Sequence, residues 1–308
     1  MDTLVDKVLA QVESVVIGKP NQVKLALACL LAEGHLLIED LPGMGKTTLA
    51  HVLATTLGLS YQRIQFTSDL LPADVIGVSI FNQNKHAFEL HRGPIFNQVV
   101  LADEINRASP KTQSALLEAM EENSVSIDGT TYGLPKPFFV IATQNPTYHA
   151  GTFPLPESQL DRFTMRISLG FPDVEAEKRI LRSNANSYDS LKACISVDEL
   201  TSIQQAVADV HVAEVIFEYV IALFQYSRDG SFKVNPLSPR AGKALLASAK
   251  AWAFMHLRDH VLPEDIQAVF SSVCLHRLRP TLSFDTEKGK NVAQQILALV
   301  DTVQPLSK

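Results

Sequence analysis

The chain has 308 residues, 46% of them hydrophobic and 19% charged, which is typical of a globular protein with one large or two modest domains. A formal net charge of −6 disfavours a general nucleic-acid binder, because such proteins usually carry excess Lys and Arg. The N-terminus lacks a basic stretch followed by an apolar core, and the longest apolar stretch, residues 25–38, is too short and interrupted to span a bilayer. We therefore expect a cytoplasmic protein without a membrane span.

Helical and strand-like patterns alternate from the N-terminus. Apolar residues at helical spacing predict a first helix within residues 4–16, and a second helix is predicted up to residue 32 with Asn21 as its cap. The apolar run 35–39 predicts a strand before a Gly-rich turn. Residues 46–57 then predict a helix that Gly58 ends.

The alternation continues to about residue 172. Residues 99–102 and 138–142 are apolar runs typical of buried strands, and residues 167–169 suggest one more. Between them, Ser109 and Pro110 are a suitable cap and first residue for a helix that runs to about Glu122. Fully apolar strands alternating with helices predict an α/β fold with a parallel sheet flanked by helices.

The character of the chain changes after residue 172. From residue 174 to about residue 303 the periodicity is almost entirely helical, with an Ala-rich stretch at 244–254. We therefore expect two domains, residues 1–172 and residues 173–308, the second of them all-helical.

A phosphate-binding loop follows the first predicted strand. Residues 40–47 read DLPGMGKT and match G-x-x-x-x-G-K-[ST] except at the first position, where Asp40 replaces Gly and puts the loop geometry in question. The two glycines let consecutive backbone N–H groups face phosphate oxygens. Lys46 supplies positive charge to the β and γ phosphates, and Thr47 offers a hydroxyl to Mg²⁺. The loop therefore predicts a Mg-ATP site formed by Pro42, Gly43, Met44, Gly45, Lys46, Thr47 and Thr48.

Two acids close the predicted strand 99–102. Asp103 at the strand end is suited to hold Mg²⁺, and Glu104 is suited to orient and polarise the attacking water. Such a strand is a weak signal alone, but after a phosphate loop it would lie beside the first strand and end at the same sheet edge, where ligands bind. The sequence therefore predicts ATP hydrolysis as well as ATP binding.

Several stretches of the chain resemble the MoxR family of AAA+ ATPases. The longest, residues 101–122, reads LADEINRASPKTQSALLEAMEE. The resemblance covers about residues 10–280, and its shorter stretches are residues 92–96, 142–146, 155–163, 238–241 and 263–266. It implies an AAA+ nucleotide-binding core over residues 1–172 and a helical lid over residues 173–308.

The resemblance also implies roles for single residues. Asn145, after the third strand, corresponds to sensor 1, whose amide can hydrogen-bond the γ-phosphate or the attacking water. Arg162 corresponds to an arginine finger that reaches a neighbour's γ-phosphate, and Arg240 to sensor 2 at the start of a lid helix. Ile17 and Gly18 lie where such ATPases often contact adenine.

Two turn-rich insertions and a biological role follow from the same resemblance. Residues 78–88 correspond to an extra hairpin of this clade and residues 124–135 to a hairpin before sensor 1. The family resemblance implies a homo-oligomeric ring, expected to be a hexamer. Its role would be chaperone-like, activating or assembling a client protein complex, often with a von Willebrand factor A domain protein and sometimes for metal-cofactor insertion.

Two other function classes stay open. A DNA-acting motor could carry the same hairpins, although the acidic balance and the missing DNA-binding module argue against nucleic acid as a partner. A small-molecule kinase could use the same phosphate loop, but that reading leaves Arg162 and Arg240 without a purpose. A protease is disfavoured, because neither a nucleophile motif nor H-E-x-x-H occurs.

Overall fold

The computed structural model describes residues 3–145, 152–182, 191–278 and 286–302, with side chains in the last range from residue 292 onward. Five parallel strands form the central sheet, which confirms the predicted α/β fold class. Their spatial order is β2 (Tyr61–Gln65), β5 (Val99–Asp103), β8 (Phe139–Gln144), β1 (Leu36–Glu39) and β9 (Met165–Ile167).

The sheet is covered on both faces, so its central strands are apolar at almost every position. On β5, Val99 and Leu101 pack in the cluster formed with α1 (Leu4–Val15), α2 (Pro20–Leu31) and α3 (Lys46–Thr56). The alternate residues of β5 pack in a second cluster with α5 (Pro110–Glu122) on the other face. This two-sided burial explains why the strands β5 and β8 could be predicted from apolar runs alone.

Some predicted bounds are wrong in detail. Asn21 does not cap α2, because the helix already begins at Pro20, whose fixed φ suits the first helical position. The last strand of the sheet is β9 at Met165–Ile167, not residues 167–169, since its register with β1 pairs Met165 with Leu36. Strand β2 and the short helix α4 (Pro72–Ile76) were not predicted.

Two antiparallel hairpins lie outside the central sheet. The first joins β3 (Gly77–Asn82) to β4 (Ala87–Arg92), and so extends beyond the predicted residues 78–88. The second joins β6 (Ser124–Ile127) to β7 (Thr130–Gly133) and follows α5 directly. A four-residue helix, α6 (Glu157–Leu160), precedes β9.

After residue 173 the described elements are helices, in agreement with the predicted periodicity. They are α7 (Val174–Arg182), α8 (Val197–Ala208), α9 (Glu214–Arg228), α10 (Pro239–Met255), α11 (Pro263–Cys274) and α12 (Thr286–Leu299). The helices α8, α9, α10 and α11 share one hydrophobic cluster with α1, α2 and α3 of the core. In the described ranges, none of the helices has both the length and the apolar character that a membrane crossing needs.

Candidate functional site

The phosphate loop connects β1 to the first turn of α3. Gly43 and Gly45 have φ values of +81° and +86°, in the left-handed region that glycine adopts at no steric cost. Gly45 is the N-cap of α3, so the helix begins at Lys46, and its free N–H groups and dipole favour an anion there. The loop therefore has the strand–turn–helix form that a phosphate cradle requires.

The ammonium group of Lys46 is held inside this loop. Its Nζ donates to the backbone oxygens of Asp40 at 2.7 Å and Leu41 at 2.9 Å, and to Oδ1 of Asn145 at 3.4 Å. Burial lowers the pKa of Lys46 from its ordinary value, while the nearby carboxylates of Asp40, Asp103 and Glu104 oppose that shift. A buried cation held by two backbone oxygens and an amide oxygen, all neutral, is well placed to receive a phosphate anion.

Asp103 lies at the end of β5 and accepts hydrogen bonds on both carboxylate oxygens. Thr143 on β8 donates its hydroxyl to Oδ1 at 2.5 Å. Arg63 on β2 donates to Oδ2 from Nε at 3.0 Å and from Nη2 at 2.6 Å. The carboxylate is therefore oriented by its two neighbouring strands and already attracts a cationic group.

Glu104 follows directly and is held from three sides. Its backbone is left-handed, with φ of +56°, which is uncommon and costly for a residue with a side chain. Its Oε1 accepts from Nδ2 of Asn145 at 2.8 Å, and its Oε2 accepts from Gln65 at 3.0 Å and from Arg107 at 3.1 Å. Asn145 thus bridges Glu104 and Lys46, so the predicted sensor contacts both the predicted base and the predicted phosphate ligand. Pro146, the last residue of the family-like stretch 142–146, lies outside the described residues.

The predicted magnesium ligands suit this metal. Thr47 is the second residue of α3, next to Lys46, and Asp103 ends β5; a hydroxyl and a carboxylate are the hard oxygen donors that Mg²⁺ prefers. The two hydrogen bonds from Arg63 to Oδ2 of Asp103 show that this carboxylate accepts a cationic partner. Within the described ranges, no group of three or more His, Cys, Asp or Glu could hold a metal by itself. The site would therefore need nucleotide oxygens to complete it.

The predicted adenine contact lies where the core meets the lid. Gly18 has a φ of +76°, and a Cβ built on it would lie 2.5 Å from Cβ of Ala176 on α7. Lys19 donates from Nζ to the backbone oxygen of Phe171 at 2.5 Å. Ile17 and Gly18 therefore belong to a turn that is packed closely against α7.

Arg162 and Arg240 do not join this cluster. Arg162 contacts Glu121 at 2.9 Å, and Arg240 donates to the other oxygen of the same carboxylate. The backbone N–H of Thr164 donates to His35 at the start of β1, which places this segment at the amino edge of the sheet. The phosphate loop follows the carboxyl end of β1, so the two predicted arginines lie at the opposite edge of the sheet.

A cavity of about 290 Å³ surrounds the two arginines. Core and lid both contribute to its lining, which includes Glu121, Arg162, Arg240, Lys243 and Arg277. Arg277 is paired with Asp161 at 2.6 Å. Positive side chains outnumber carboxylates here, so the cavity is suited to an anionic ligand.

Four residues of the site were not predicted from the sequence: Arg63, Gln65 and Thr143, which contact the two acids, and Glu121, which pairs with the arginines. Strand β2 has only one buried residue, Ile64, so it shows no apolar run. Thr143 directly follows the predicted strand 138–142. A hydroxyl at this position, beside the acid that ends β5, would have been a usable signal of a site residue. Glu121 gave no signal, because nothing in a helical pattern shows which carboxylate will meet a distant arginine.

Together, a glycine-rich phosphate loop, two acids at the end of β5 and a helical lid define a P-loop ATPase. Strand β8 lies between β5 and β1, so the expectation that β5 lies beside β1 is wrong. A family model described as the ATPase family associated with various cellular activities (AAA) matches residues 35–165. A model of an AAA lid domain matches residues 234–296. Both matches agree with the predicted core and lid.

Known proteins resemble the chain over almost its whole length. Chaperone MoxR1 of Mycobacterium tuberculosis is 37% identical to this chain, and the match covers 91% of this chain and 76% of MoxR1. YeaC of Bacillus subtilis, an uncharacterized protein, is 44% identical over 96% of this chain and 94% of its own. The crystal structure of a candidate ATPase from Cytophaga hutchinsonii has a TM-score of 0.87 and 39% identity, and covers 97% of this chain and 94% of its own.

The chain belongs to the MoxR family of AAA+ ATPases. The predicted family, nucleotide binding and ATPase activity are thereby confirmed.

Proposed function

We propose that the chain works as a homo-oligomeric ring, a hexamer, in which each subunit completes the ATP site of its neighbour. The observation that carries this proposal is the separation of Arg162 from Lys46. The two residues lie at opposite edges of the sheet, and a strand of about five residues spans roughly 16 Å. A guanidinium at the amino edge can therefore stabilise a γ-phosphate only if a second subunit supplies that phosphate.

The residues around Lys46 would carry out the chemistry. Pro42–Thr48 would bind the phosphates, with Ile17 and Gly18 beside the adenine. Thr47 and Asp103 would hold Mg²⁺, which supplies charge neutralisation at the phosphates when bound. Glu104 would orient the attacking water and accept its proton, while Asn145 holds Glu104 and the γ-phosphate in one arrangement.

Arg240 would act beside Arg162 on the neighbour's nucleotide. Both guanidiniums pair with Glu121 and line the same cavity. An anion entering that cavity from a second subunit would therefore meet two arginines together. The γ-phosphate is such an anion, and its charge grows on the oxygens that these arginines can reach in the transition state.

We further propose a chaperone-like role in the cytoplasm, in which hydrolysis moves the lid and remodels a client protein complex. The relative named Chaperone MoxR1 supports this reading. The hairpin β3–β4 supports it too, because Phe81 and Phe88 pack at its end with ring centroids 5.3 Å apart and Phe88 is 72% exposed. The client would be a protein, such as a von Willebrand factor A domain protein involved in metal-cofactor insertion.

Mixing two inactive variants tests the ring proposal. Arg162→Ala chains keep an intact ATP site, and Glu104→Gln chains keep an intact finger. At equal ratio, about a quarter of the interfaces would combine the two intact halves, so we expect turnover to recover toward that fraction of wild type. As a control, Arg162→Ala chains mixed with the double variant should stay inactive. Failure to recover at every mixing ratio would contradict action between subunits.

Two measurements separate the proposed role from its alternatives. ATP turnover per chain should rise with protein concentration as rings assemble, whereas a small-molecule kinase would show no such dependence. A pull-down with ATP-locked Glu104→Gln chains should retain a protein client. Strong stimulation of the ATPase by DNA would instead favour the DNA-acting motor.

A further inference from the structure

The carboxylate of Asp40, at the first position of the phosphate loop, is buried and has four hydrogen-bond donors around it. Its Oδ2 accepts from the backbone N–H groups of Leu169 at 2.6 Å and Gly170 at 2.8 Å, and from the hydroxyl of Ser168 at 3.1 Å. Its Oδ1 accepts from the N–H of Leu41 at 3.1 Å. Three of the four donors therefore belong to one distant segment of the chain.

That segment is the connection between the sheet and the lid. Residues 168–173 follow β9 and precede α7, the first lid helix. Gly170 has a φ of +61°, so the chain turns here in a conformation that favours glycine. The next residue, Phe171, offers its backbone oxygen to Lys19 on the opposite side. The connection is thus held by Asp40 from the phosphate loop and by Lys19 from the turn beside the predicted adenine contact.

Asp40 also contacts the phosphate-binding lysine through a different atom. Its backbone oxygen accepts from Nζ of Lys46 at 2.7 Å. A phosphate that binds Lys46 competes for this ammonium group, so the backbone of Asp40 loses or weakens one of its partners. Any adjustment of residue 40 is passed to Ser168, Leu169 and Gly170, because three charge-assisted hydrogen bonds join them to its carboxylate.

We propose that Asp40 is a positioning residue that couples nucleotide in the phosphate loop to the position of the lid. The glycine expected at this position of the motif is replaced by the residue that holds the lid connection. The inference rests on the proposed function, since it assumes that lid movement follows ATP binding and hydrolysis. It adds the physical link through which that movement starts.

A neighbouring ion pair offers a matched control. Glu39 precedes Asp40 and pairs with Arg166 of β9 at 2.7 Å. This pair also joins β1 to β9, but it does not contact residues 168–170. Glu39→Gln therefore removes a tie between the two strands that directly precede Asp40 and residues 168–170, and leaves the lid connection in place.

Hydrogen exchange at Leu169 and Gly170 tests the link directly, since their amide hydrogens are the ones bonded to Asp40. In the wild-type chain we expect a non-hydrolysable ATP analogue to change their exchange rates by about tenfold. In Asp40→Gly, which restores the glycine of the motif, both amides should exchange about tenfold faster without nucleotide and show no response to the analogue. Glu39→Gln should behave as wild type.

Steady-state kinetics provides the second readout. Asp40→Gly should bind the analogue within about threefold of wild type, because the carbonyl that faces Lys46 is retained, yet turn over ATP about tenfold more slowly. The proposal would be overturned if Glu39→Gln lost as much ATP turnover as Asp40→Gly, or if Asp40→Gly turned over ATP at the wild-type rate. If Asp40→Gly does not fold, the isosteric Asp40→Asn is expected to show the same split, and wild-type behaviour of that variant would overturn the proposal as well.

The wild-type exchange measurement needs no variant and no ring. If the exchange rates of the Leu169 and Gly170 amides do not change when the analogue is added, the coupling proposal is overturned, even if the subunit-mixing experiment succeeds. Failure of the mixing experiment, with amides that do respond, would reject the ring proposal and leave the coupling in place.

Discussion

Arg162 and Arg240 reach the same carboxylate from different parts of the chain. Arg162 follows α6 in the core, Arg240 is the second residue of α10 in the lid, and each pairs with one oxygen of Glu121. Two guanidiniums this close would repel each other without an anion between them. Glu121 therefore keeps both arginines in place, and it also ties the lid to the amino edge of the sheet.

Replacing Glu121 should separate nucleotide binding from turnover. In Glu121→Gln the two arginines lose their shared counter-charge, so we expect ATP turnover in assembled rings to fall about fivefold. Nucleotide affinity should stay within about twofold, because the phosphate loop lies at the other edge of the sheet. The exposed neighbour Glu122→Gln is the matched control. A large loss of nucleotide affinity in Glu121→Gln would contradict this arrangement.

Lys46→Ala should abolish nucleotide binding or weaken it severely. The variant removes the buried cation of the phosphate loop, and an interaction of this kind is worth about 3 kcal/mol or more, or at least a hundredfold in affinity. Titration with a fluorescent ATP analogue measures the effect. Lys7→Ala, which removes an exposed lysine of α1, should bind normally. Normal affinity in Lys46→Ala would remove the central assignment of this site.

Glu104→Gln should keep ATP bound but slow its hydrolysis by about a thousandfold. The amide is isosteric, so contacts with Asn145 can persist in part, but it cannot accept a proton from water. Binding and single-turnover hydrolysis should be measured on the same preparation. Glu118→Gln, on the exposed face of α5, serves as control. Unchanged turnover would assign the base to another residue.

Arg63→Gln should lower the Mg²⁺ concentration that gives half-maximal ATPase activity. Arg63 competes with a metal for Oδ2 of Asp103, and its side chain is about half exposed, so the pair is worth up to about 1 kcal/mol. We therefore expect a shift of about threefold, measured by titrating Mg²⁺ at fixed ATP. Arg179→Gln on α7 is the control variant and should leave the half-maximal Mg²⁺ concentration unchanged. A higher midpoint in Arg63→Gln would show that Arg63 supports the metal site.

Asp265→Ala should destabilise the lid. Asp265 is 1% exposed, forms two hydrogen bonds of 2.5 Å with Arg258 and caps α11 through the N–H of Leu262. Removing it leaves Arg258 and a helix end without these partners, which should cost about 2 kcal/mol of unfolding free energy. Urea denaturation measures the change, with the adjacent Glu264→Ala as control. A loss below about 0.5 kcal/mol would contradict the structural role.

The elements that the sequence predicted well are those whose signal is local. Strands β5 and β8 are buried on both faces and read as apolar runs, and α5 has a Ser109 cap and Pro110 at its first position. Strand β2 has one buried residue, Ile64, and carries Arg63 and Gln65 at exposed positions, so its pattern does not differ from that of a polar loop. Its place beside β5 depends on sheet order, which a local pattern does not contain.

The candidate site divides in the same way. Lys46, Thr47, Asp103 and Glu104 stand at motif spacings, so the chemistry of phosphate binding could be predicted. Contacts between residues far apart in sequence could not. The hydrogen bonds that residues 168–170 donate to Asp40 arise only when the parallel sheet brings β9 beside β1. The pairing of both arginines with Glu121 arises only when the lid comes to lie beside α5. The domain boundary at residues 172 and 173 stays a prediction.

The left-handed backbone at Glu104 makes this position one where thermostability and activity oppose each other. A glycine or an asparagine would suit a φ of +56° better and relieve about 1 kcal/mol of strain, but neither can accept a proton. Selection for a more heat-resistant chain would therefore favour inactive variants at this position. Directed evolution for stability should accordingly be coupled to an activity screen, since the carboxylate at this position lowers the folding stability of the enzyme.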